Sequence, residues 1–204
     1  MMPRLRPLLA AAVLAASLTG ASAAPEIGRP APDFTLTDIH GQAHSLAEFK
    51  GRPVVLEWVN PECPFVGKHY RSGNMPGLQR EATADGVVWL SINSGAPGAA
   101  GSYDDRQSEA WMKQVGSAAT DFFRDPSGRV GKLYDARTTP HLFVIDARGT
   151  LVYAGGIDSI RSTRVSDIPN ATNYVREALA DLKAGRPVRT PAAKPYGCGI
   201  KYAD

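Results

Sequence analysis

Cysteine is scarce in this chain, charge of one sign never accumulates, and no long apolar run interrupts the body. Only Cys63 and Cys198 occur in 204 residues, too few for a small fold held together by disulfides. No block of five or six basic residues is present, and 23 Lys plus Arg against 20 Asp plus Glu leave a formal charge of +3. Nucleic acid is therefore not an expected partner. No internal repeat is visible, which excludes solenoids and propellers. With 43% hydrophobic and 21% charged residues, the composition also excludes collagen, coiled coil and disorder, and fits one globular domain.

The uncharged stretch from Leu8 to Thr19 is shorter than the about 20 apolar residues that span a bilayer. Arg4 and Arg6 precede it and the small residues Ala21-Ser22-Ala23 follow it, the three parts of a secretory signal peptide. An uncleaved anchor is the alternative. Residues 1–23 are expected to be removed, leaving a nearly neutral mature chain in an oxidising compartment, most simply the periplasm, where two cysteines can pair. The match of Asn170-Ala171-Thr172 to a glycosylation acceptor is accidental in that setting.

Along the mature chain, Asp33 to Thr37 alternates polar and apolar residues before a turn at His40-Gly41-Gln42, predicting a short hairpin. A helical turn over Leu46 to Phe49 follows. Val54 to Val59, Val87 to Ile92 and Leu142 to Asp146 are nearly continuous apolar runs, suited to central strands covered on both faces. A helix is expected from Pro64, interrupted at Gly73 to Gly77 and resuming at Leu78. Asp105 to Val115 predicts another helix, Asp121 to Phe123 a short strand, Val130 to Tyr134 one helical turn, and Thr150 to Tyr153 the return of a hairpin. Val175, Leu179 and Leu182 share one face of a last helix ending at Gly185. The order predicts a single α/β domain, residues 24–185, with a mixed sheet sandwiched by helices. Residues 186–204, with Pro187, Pro191 and Pro195, are expected to form a tail carrying Cys198.

Cys63 precedes Pro64, and proline suits the first helical position, where no N–H is needed. Cys63 is thus expected at the N-cap, facing unpaired backbone N–H groups and the positive end of the helix dipole, both of which favour thiolate. The dipole alone contributes about 0.3 to 1 kcal/mol. Cys198 is the other thiol. About a dozen residues separate it from Gly185, and at about 3.1 Å per extended residue they reach roughly 40 Å, far enough to meet Cys63 from almost any side of the domain. A bond closing so long a loop is worth about 5 kcal/mol in the chain-entropy account, so a permanent staple, a redox pair and two separate thiols all remain open.

The segments Ser45-Leu46-Ala47-Glu48-Phe49-Lys50-Gly51 and Val54-Val55-Leu56-Glu57-Trp58, Cys63 at a helix start, and Thr138-Thr139-Pro140 leading into Leu142 to Asp146 resemble the thioredoxin-fold redoxins over roughly residues 27–185. Asn60 to Val66, Lys68-His69-Tyr70 and the C-terminal Tyr196 to Tyr202 resemble, within them, the exported peroxiredoxin-like group related to alkyl hydroperoxide reductase and thiol-specific antioxidant. The resemblance implies a thioredoxin-like fold and thiol–disulfide exchange, with Cys63 as nucleophile and Cys198 as resolving thiol. It implies a cis Thr139-Pro140 bond forming a substrate groove, with Trp58 supporting the strand beneath. Val66 stands where a thioredoxin pair would have its second cysteine. Asn60 and Leu56 stand where peroxiredoxins carry Thr or Ser and Pro, so weak or no peroxidase activity is expected. Partners would be protein thiols and disulfides or small peroxides, with a membrane disulfide shuttle as electron source, and no cofactor is required.

Two other classes compete. Cys63, Cys198 and His141 would make a soft copper(I) site if the tail folds over, as in copper-delivering thioredoxin-fold proteins. Alternatively the fold is a non-catalytic binding module, with the tail as a docking element and the segments from Ser94 to Ser102 and from Asp158 to Thr172 long enough to form a partner surface. His69 is expected to be a helix residue and not a ligand; His40 and His44 are expected to face solvent.

Overall fold

The computed structural model describes residues 24–204, and the expected signal segment lies outside them. Among the described residues no helix is long and apolar enough to cross a membrane. The expected N-terminal hairpin is formed by β1 (Thr35–Thr37) and β2 (Ala43–Ser45), turning at Gly41, whose φ of 86° suits glycine. A 3-10 turn over Leu46–Phe49 leads into β3 (Val54–Trp58), buried along its whole length. β3 pairs in parallel with β4 (Val88–Asn93) and antiparallel with β7 (His141–Ile145). β5 (Asp121–Arg124) extends the sheet beyond β4, and β8 (Leu151–Gly155) extends it beyond β7, giving the order β5-β4-β3-β7-β8. The apolar runs are continuous because both faces of β3, β4 and β7 are covered.

Among the described residues five α-helices complete the domain: α1 (Pro64–Arg71), α2 (Asn74–Ala84), α3 (Asp105–Val115), α4 (Arg129–Leu133) and α5 (Tyr174–Lys183). The break between α1 and α2 is confined to Ser72 and Gly73, the latter at φ 75°. α2 begins at Asn74 and not at Leu78, because Pro76 falls within its first turn, where proline displaces no helical hydrogen bond. α3 carries a complete capping box between Asp104 and Gln107.

Strand alternation divides the core into two layers. Val55, Val59, Trp89, Leu142 and Val144 face a layer with Val66 and Tyr70 of α1, Leu78 of α2, Trp111 of α3 and Val175 of α5. Leu56, Trp58, Leu90, Phe143 and Ile145 face a second layer with Phe34 and Leu36 of the hairpin and Val130 of α4. The second face is therefore covered largely by the hairpin and loops.

Far from hanging free, the tail is built into the domain. Ala154 of the edge strand β8 donates to Pro191 O at 3.1 Å and accepts from Ala193 N at 3.2 Å. Gly155 makes room for it: a Cβ there would lie 2.3 Å from Ala193 O. Beyond Tyr196, β9 (Cys198–Gly199) pairs antiparallel with β6 (Thr138–Thr139), with Thr139 opposite Cys198. Tyr202 then closes over α4, its hydroxyl donating to Ala136 O at 2.6 Å.

Candidate active site

The site begins where β3 ends. Asn60 shapes the turn: its Oδ1 accepts from Glu62 N at 2.8 Å, its backbone O accepts from Cys63 N at 3.1 Å, and its Nδ2 donates to Ala100 O at 2.9 Å. The chain emerges with Cys63 as the N-cap of α1 and exposed Pro64 in its first position, as the residue types predict. Cys63 is 2% exposed, and its Sγ lies 3.0 Å from Thr139 O. The Thr139-Pro140 bond is cis.

Pairing of β9 with β6 delivers Cys198 to the same place. Both cysteines are free thiols, Cys63 buried and Cys198 half-buried, and each lies close enough to shift the other's ionisation. Burial pushes the Cys63 thiol up. Donors outweigh it and hold the group below its ordinary range: the Cys198 and Thr139 side chains and the N–H groups of Val66 and Cys198. Val66 N–H faces the sulfur without closing a regular cap bond. The Thr139 hydroxyl is buried beside the sulfur and closes no hydrogen bond of regular geometry. Cys198 goes the other way, pushed up to about 12 by burial, by its hydrogen bond to Cys63 and by the Cys63 charge, against a smaller opposing effect of Lys201. The arrangement can hold one thiolate, on Cys63, with a protonated thiol beside it.

A buried polar network beneath α1 anchors the tail. Lys68, fully buried, donates to Asp158 Oδ2 at 3.3 Å and to Ile160 O at 3.2 Å. Tyr196, two residues before Cys198, donates its hydroxyl to Asp158 Oδ1. Asn74 donates to His69 Nδ1 at 2.8 Å, which leaves the ring proton on Nε2, 3.3 Å from the Tyr196 oxygen. Burial lowers the His69 pKa to about 4, so the ring is neutral and serves as a relay of hydrogen bonds. His69 is thus the helix residue expected from sequence, but it holds the tail. Tyr196→Phe keeps the ring contact with Phe65 and removes the hydroxyl. We expect a loss of about 1 to 3 kcal/mol in urea unfolding and faster hydrogen exchange at Gly197–Gly199; unchanged exchange there would show that the hydroxyl does not anchor the strand.

Other sequence-derived residues fall elsewhere. His141 lies on β7 with Phe143 and Ile145, in the layer opposite Cys63; its ring centroid is 4.5 Å from that of Phe143 and its Nδ1 accepts from Arg137 N at 3.3 Å. Trp58 is also in that opposite layer, donating from Nε1 to Ser94 Oγ at 3.0 Å, and is paired in register with His141, next to Pro140. Among the described residues, donor atoms of three potential metal ligands come within 4.8 Å only at Asp38, His44 and Asp121, so Cys63, Cys198 and His141 are not brought together. His44 is half-buried and lies 3.5 Å from Asp38 and 3.2 Å from Glu48; these carboxylates turn it away from the solvent-facing position expected of it, while His40 is exposed.

The two segments expected as a docking surface are tied down. Asn93 Nδ2 donates to Gly101 O at 2.8 Å and Ala96 N to Lys201 O at 2.7 Å, fixing the Gly/Ala loop between the active-site turn and the tail. The later segment begins at buried Asp158 and includes a 3-10 turn over Val165–Asn170. Sequence reasoning passed over Glu57, Lys68, Asp158 and Tyr196 as functional residues. The one available signal was a charged residue, Glu57, inside an apolar strand run.

Known proteins share this architecture. A thiol-disulfide oxidoreductase ResA of Geobacillus kaustophilus is 29% identical over 124 residues, 55% of this chain and 71% of that protein. The thiol:disulfide interchange protein DsbE of Vibrio cholerae is 26% identical over 160 residues, 76% of this chain and 73% of its own length. The crystal structure of a hypothetical protein from Sinorhizobium meliloti superposes with a TM-score of 0.74 at 26% identity, covering 89% of this chain and 97% of the other. The fold is thioredoxin-like. The AhpC/TSA family model matches residues 27–154, a span holding the active-site turn, α1, the cis proline and all but the last residue of the five-stranded sheet, and the chain belongs to the AhpC/TSA family.

Proposed function

We propose that the protein is an exported thiol–disulfide oxidoreductase whose redox centre is the Cys63/Cys198 pair. The observation that carries the reading is the β6–β9 pairing, which sets Cys198 against a Cys63 whose thiolate is favoured by four donors. Cys63 is the sulfur on which negative charge is stabilised. It is the nucleophile that closes the internal disulfide and the leaving group when that disulfide opens. Thr139 contributes its hydroxyl and carbonyl at the sulfur, Pro140 holds Thr139 in place, and Pro64 starts the helix whose N–H groups face it. Partners are protein thiols or disulfides, in keeping with the names of the relatives, and the leader-like residues 1–23 support export to the periplasm. A membrane disulfide shuttle is the expected electron source there. No cofactor takes part in the exchange.

Peroxide is a weaker substrate in this reading. Asn60 occupies the place of the peroxiredoxin hydroxyl, and its amide is held by the turn through Oδ1 and by Ala100 O through one Nδ2 hydrogen, so the hydroxyl that would meet a peroxide oxygen is replaced by a side chain oriented for the turn.

The test is equilibration of the mature protein across thiol–disulfide buffers, with non-reducing peptide mapping at each point. A Cys63–Cys198 bond with a midpoint near about −200 mV is expected of an exchange enzyme. A bond persisting below about −300 mV would mark a structural staple, and two thiols that never pair would end the reading.

A further inference from the structure

We propose that Asp38, His44 and Asp121, where the N-terminal hairpin meets β5, form a binding site for a divalent first-row transition metal, with zinc as its best match. These residues lie outside the Cys63/Cys198 centre, and the site stands whether or not those thiols exchange.

The backbone brings the three residues together from two distant stretches of chain. Ile39 N donates to Phe122 O at 3.1 Å and Asp38 forms an antiparallel bridge with Phe123, which sets the end of β1 beside the start of β5, where Asp121 stands. His44 arrives on β2, opposite Leu36. One donor atom from each of Asp38, His44 and Asp121 lies within 4.8 Å of the other two. Two donors each about 2.1 Å from a zinc ion, at the tetrahedral angle, are about 3.4 Å apart. His44 Nε2 and Asp38 Oδ2 already stand 3.5 Å apart.

The donors are also held with their lone pairs free. The Asp38 side chain is only 5% exposed, and its Oδ1 accepts from His40 N and Gln42 N, both at 2.8 Å. Among the described residues nothing donates a hydrogen bond to Oδ2, which faces His44 Nε2. The other ring nitrogen, Nδ1, lies 3.2 Å from Glu48 Oε2. A carboxylate there takes the Nδ1 proton, so that in the neutral ring Nε2 carries the lone pair, the tautomer a metal requires. The ring is kept in this orientation by stacking on Phe49, centroids 6.2 Å apart, and by edge contact with Phe123 at 5.9 Å. A lone pair aimed at two carboxylates is relieved only by a cation between them, either a second ring proton or a metal ion. Burial holds the Asp121 pKa above its ordinary value, and the Asp38 charge adds to this against the imidazoles of His44 and His40, so negative charge at the junction is incompletely offset.

One imidazole nitrogen and two carboxylate oxygens suit zinc and its neighbours. His40 is not among the clustered donors, which leaves the fourth position to water. Calcium and magnesium take six or more oxygen ligands and fit this set poorly. An ion here ties the hairpin to the edge strand and, because the site exists only in the folded chain, stabilises the fold by mass action.

The test is calorimetric titration with zinc of the tag-free mature chain carrying Cys63→Ser and Cys198→Ser, so that the thiols take no metal. A single zinc ion per chain is expected, with a higher urea midpoint in its presence. In the same background His44→Ala and Asp121→Asn should each weaken binding at least about tenfold, and Glu48→Ala about 10- to 100-fold, with Glu48→Gln, which still accepts from Nδ1, regaining most of that loss. Urea unfolding without metal verifies that each variant folds; if His44→Ala does not, the nearly isosteric Asp121→Asn decides. No zinc bound, an affinity that the ligand variants leave unchanged, or displacement of zinc by an equal concentration of calcium would each overturn the inference.

Discussion

Replacing Cys63 with serine is expected to lower thiol–disulfide exchange by at least about 1,000-fold, because a hydroxyl is not ionised near neutral pH and cannot form or release a sulfur–sulfur bond. The rest of the machinery stays in place. Cys63 is held by its backbone, with N accepted by Asn60 O and O accepting from Gly67 N, so a serine, itself a good N-cap, keeps the turn and the start of α1. Loss of activity with an unchanged unfolding midpoint would thus report chemistry and not folding. Cys198→Ser is expected to be nearly as damaging to steady-state turnover, since the lone Cys63 thiolate cannot complete an internal disulfide. The measurement is reduction of a disulfide-bonded protein substrate under a fixed thiol supply. Wild-type turnover in either variant would remove the two-cysteine mechanism.

Neutralising Glu57 is expected to change stability more than any surface substitution. The carboxylate lies inside the sheet–helix layer, accepting from Trp89 Nε1 at 2.8 Å, Tyr70 Oη at 2.9 Å, Gln79 Nε2 at 3.1 Å and Ser91 Oγ at 3.3 Å. Burial raises its pKa from 4.5 to about 7 even against these four donors. In the unfolded chain the group ionises near 4.5, so between pH 4.5 and 7 the folded protein binds the extra proton. The contribution of Glu57 to stability is complete below pH 4.5 and is lost as pH rises through 7, a change of about 3 kcal/mol. Glu57→Gln keeps an oxygen for the indole and amide donors and offers an N–H to the Tyr70 oxygen, but does not titrate. His69 and His141, both lowered to about 4 by burial, work in the opposite direction, their contribution being lost as pH falls from about 6.5 to 4. The informative quantity is therefore the difference between variant and wild type. In urea unfolding the glutamine variant should gain on wild type steadily from pH 5 to 8; a difference that does not change with pH would place the Glu57 pKa near its ordinary value.

How much of this could be read along the chain depends on sequence distance. The hairpin, the buried strands, Cys63 at the N-cap of a helix opened by Pro64, and the capped helix from Asp105 all follow from residues within a few positions of one another. Periodicity, capping and proline geometry act locally and leave marks in the order of residues. The importance of Thr139-Pro140 came from resemblance to a known fold, since a proline at the entry to a strand is otherwise unremarkable. The reach of the tail could be estimated, but not its path.

The sequence by itself determined the order of elements, the α/β class, the placement of one cysteine at a helix N-terminus and the presence of a second thiol within reach. Only the tertiary structure decided that Cys198 arrives on a strand paired with Thr139, that Tyr196 anchors that strand to Asp158, 38 residues away along the chain, which is itself bound to Lys68 a further 90 residues away, and that His141 turns away from Cys63. The side on which His141 falls is a matter of sheet register, where a shift of one residue exchanges the faces. The anchoring of the tail is a matter of buried polar groups finding partners across the domain. Neither leaves a periodic trace, because the contacts that settle them are made between segments the chain brings together only when it folds.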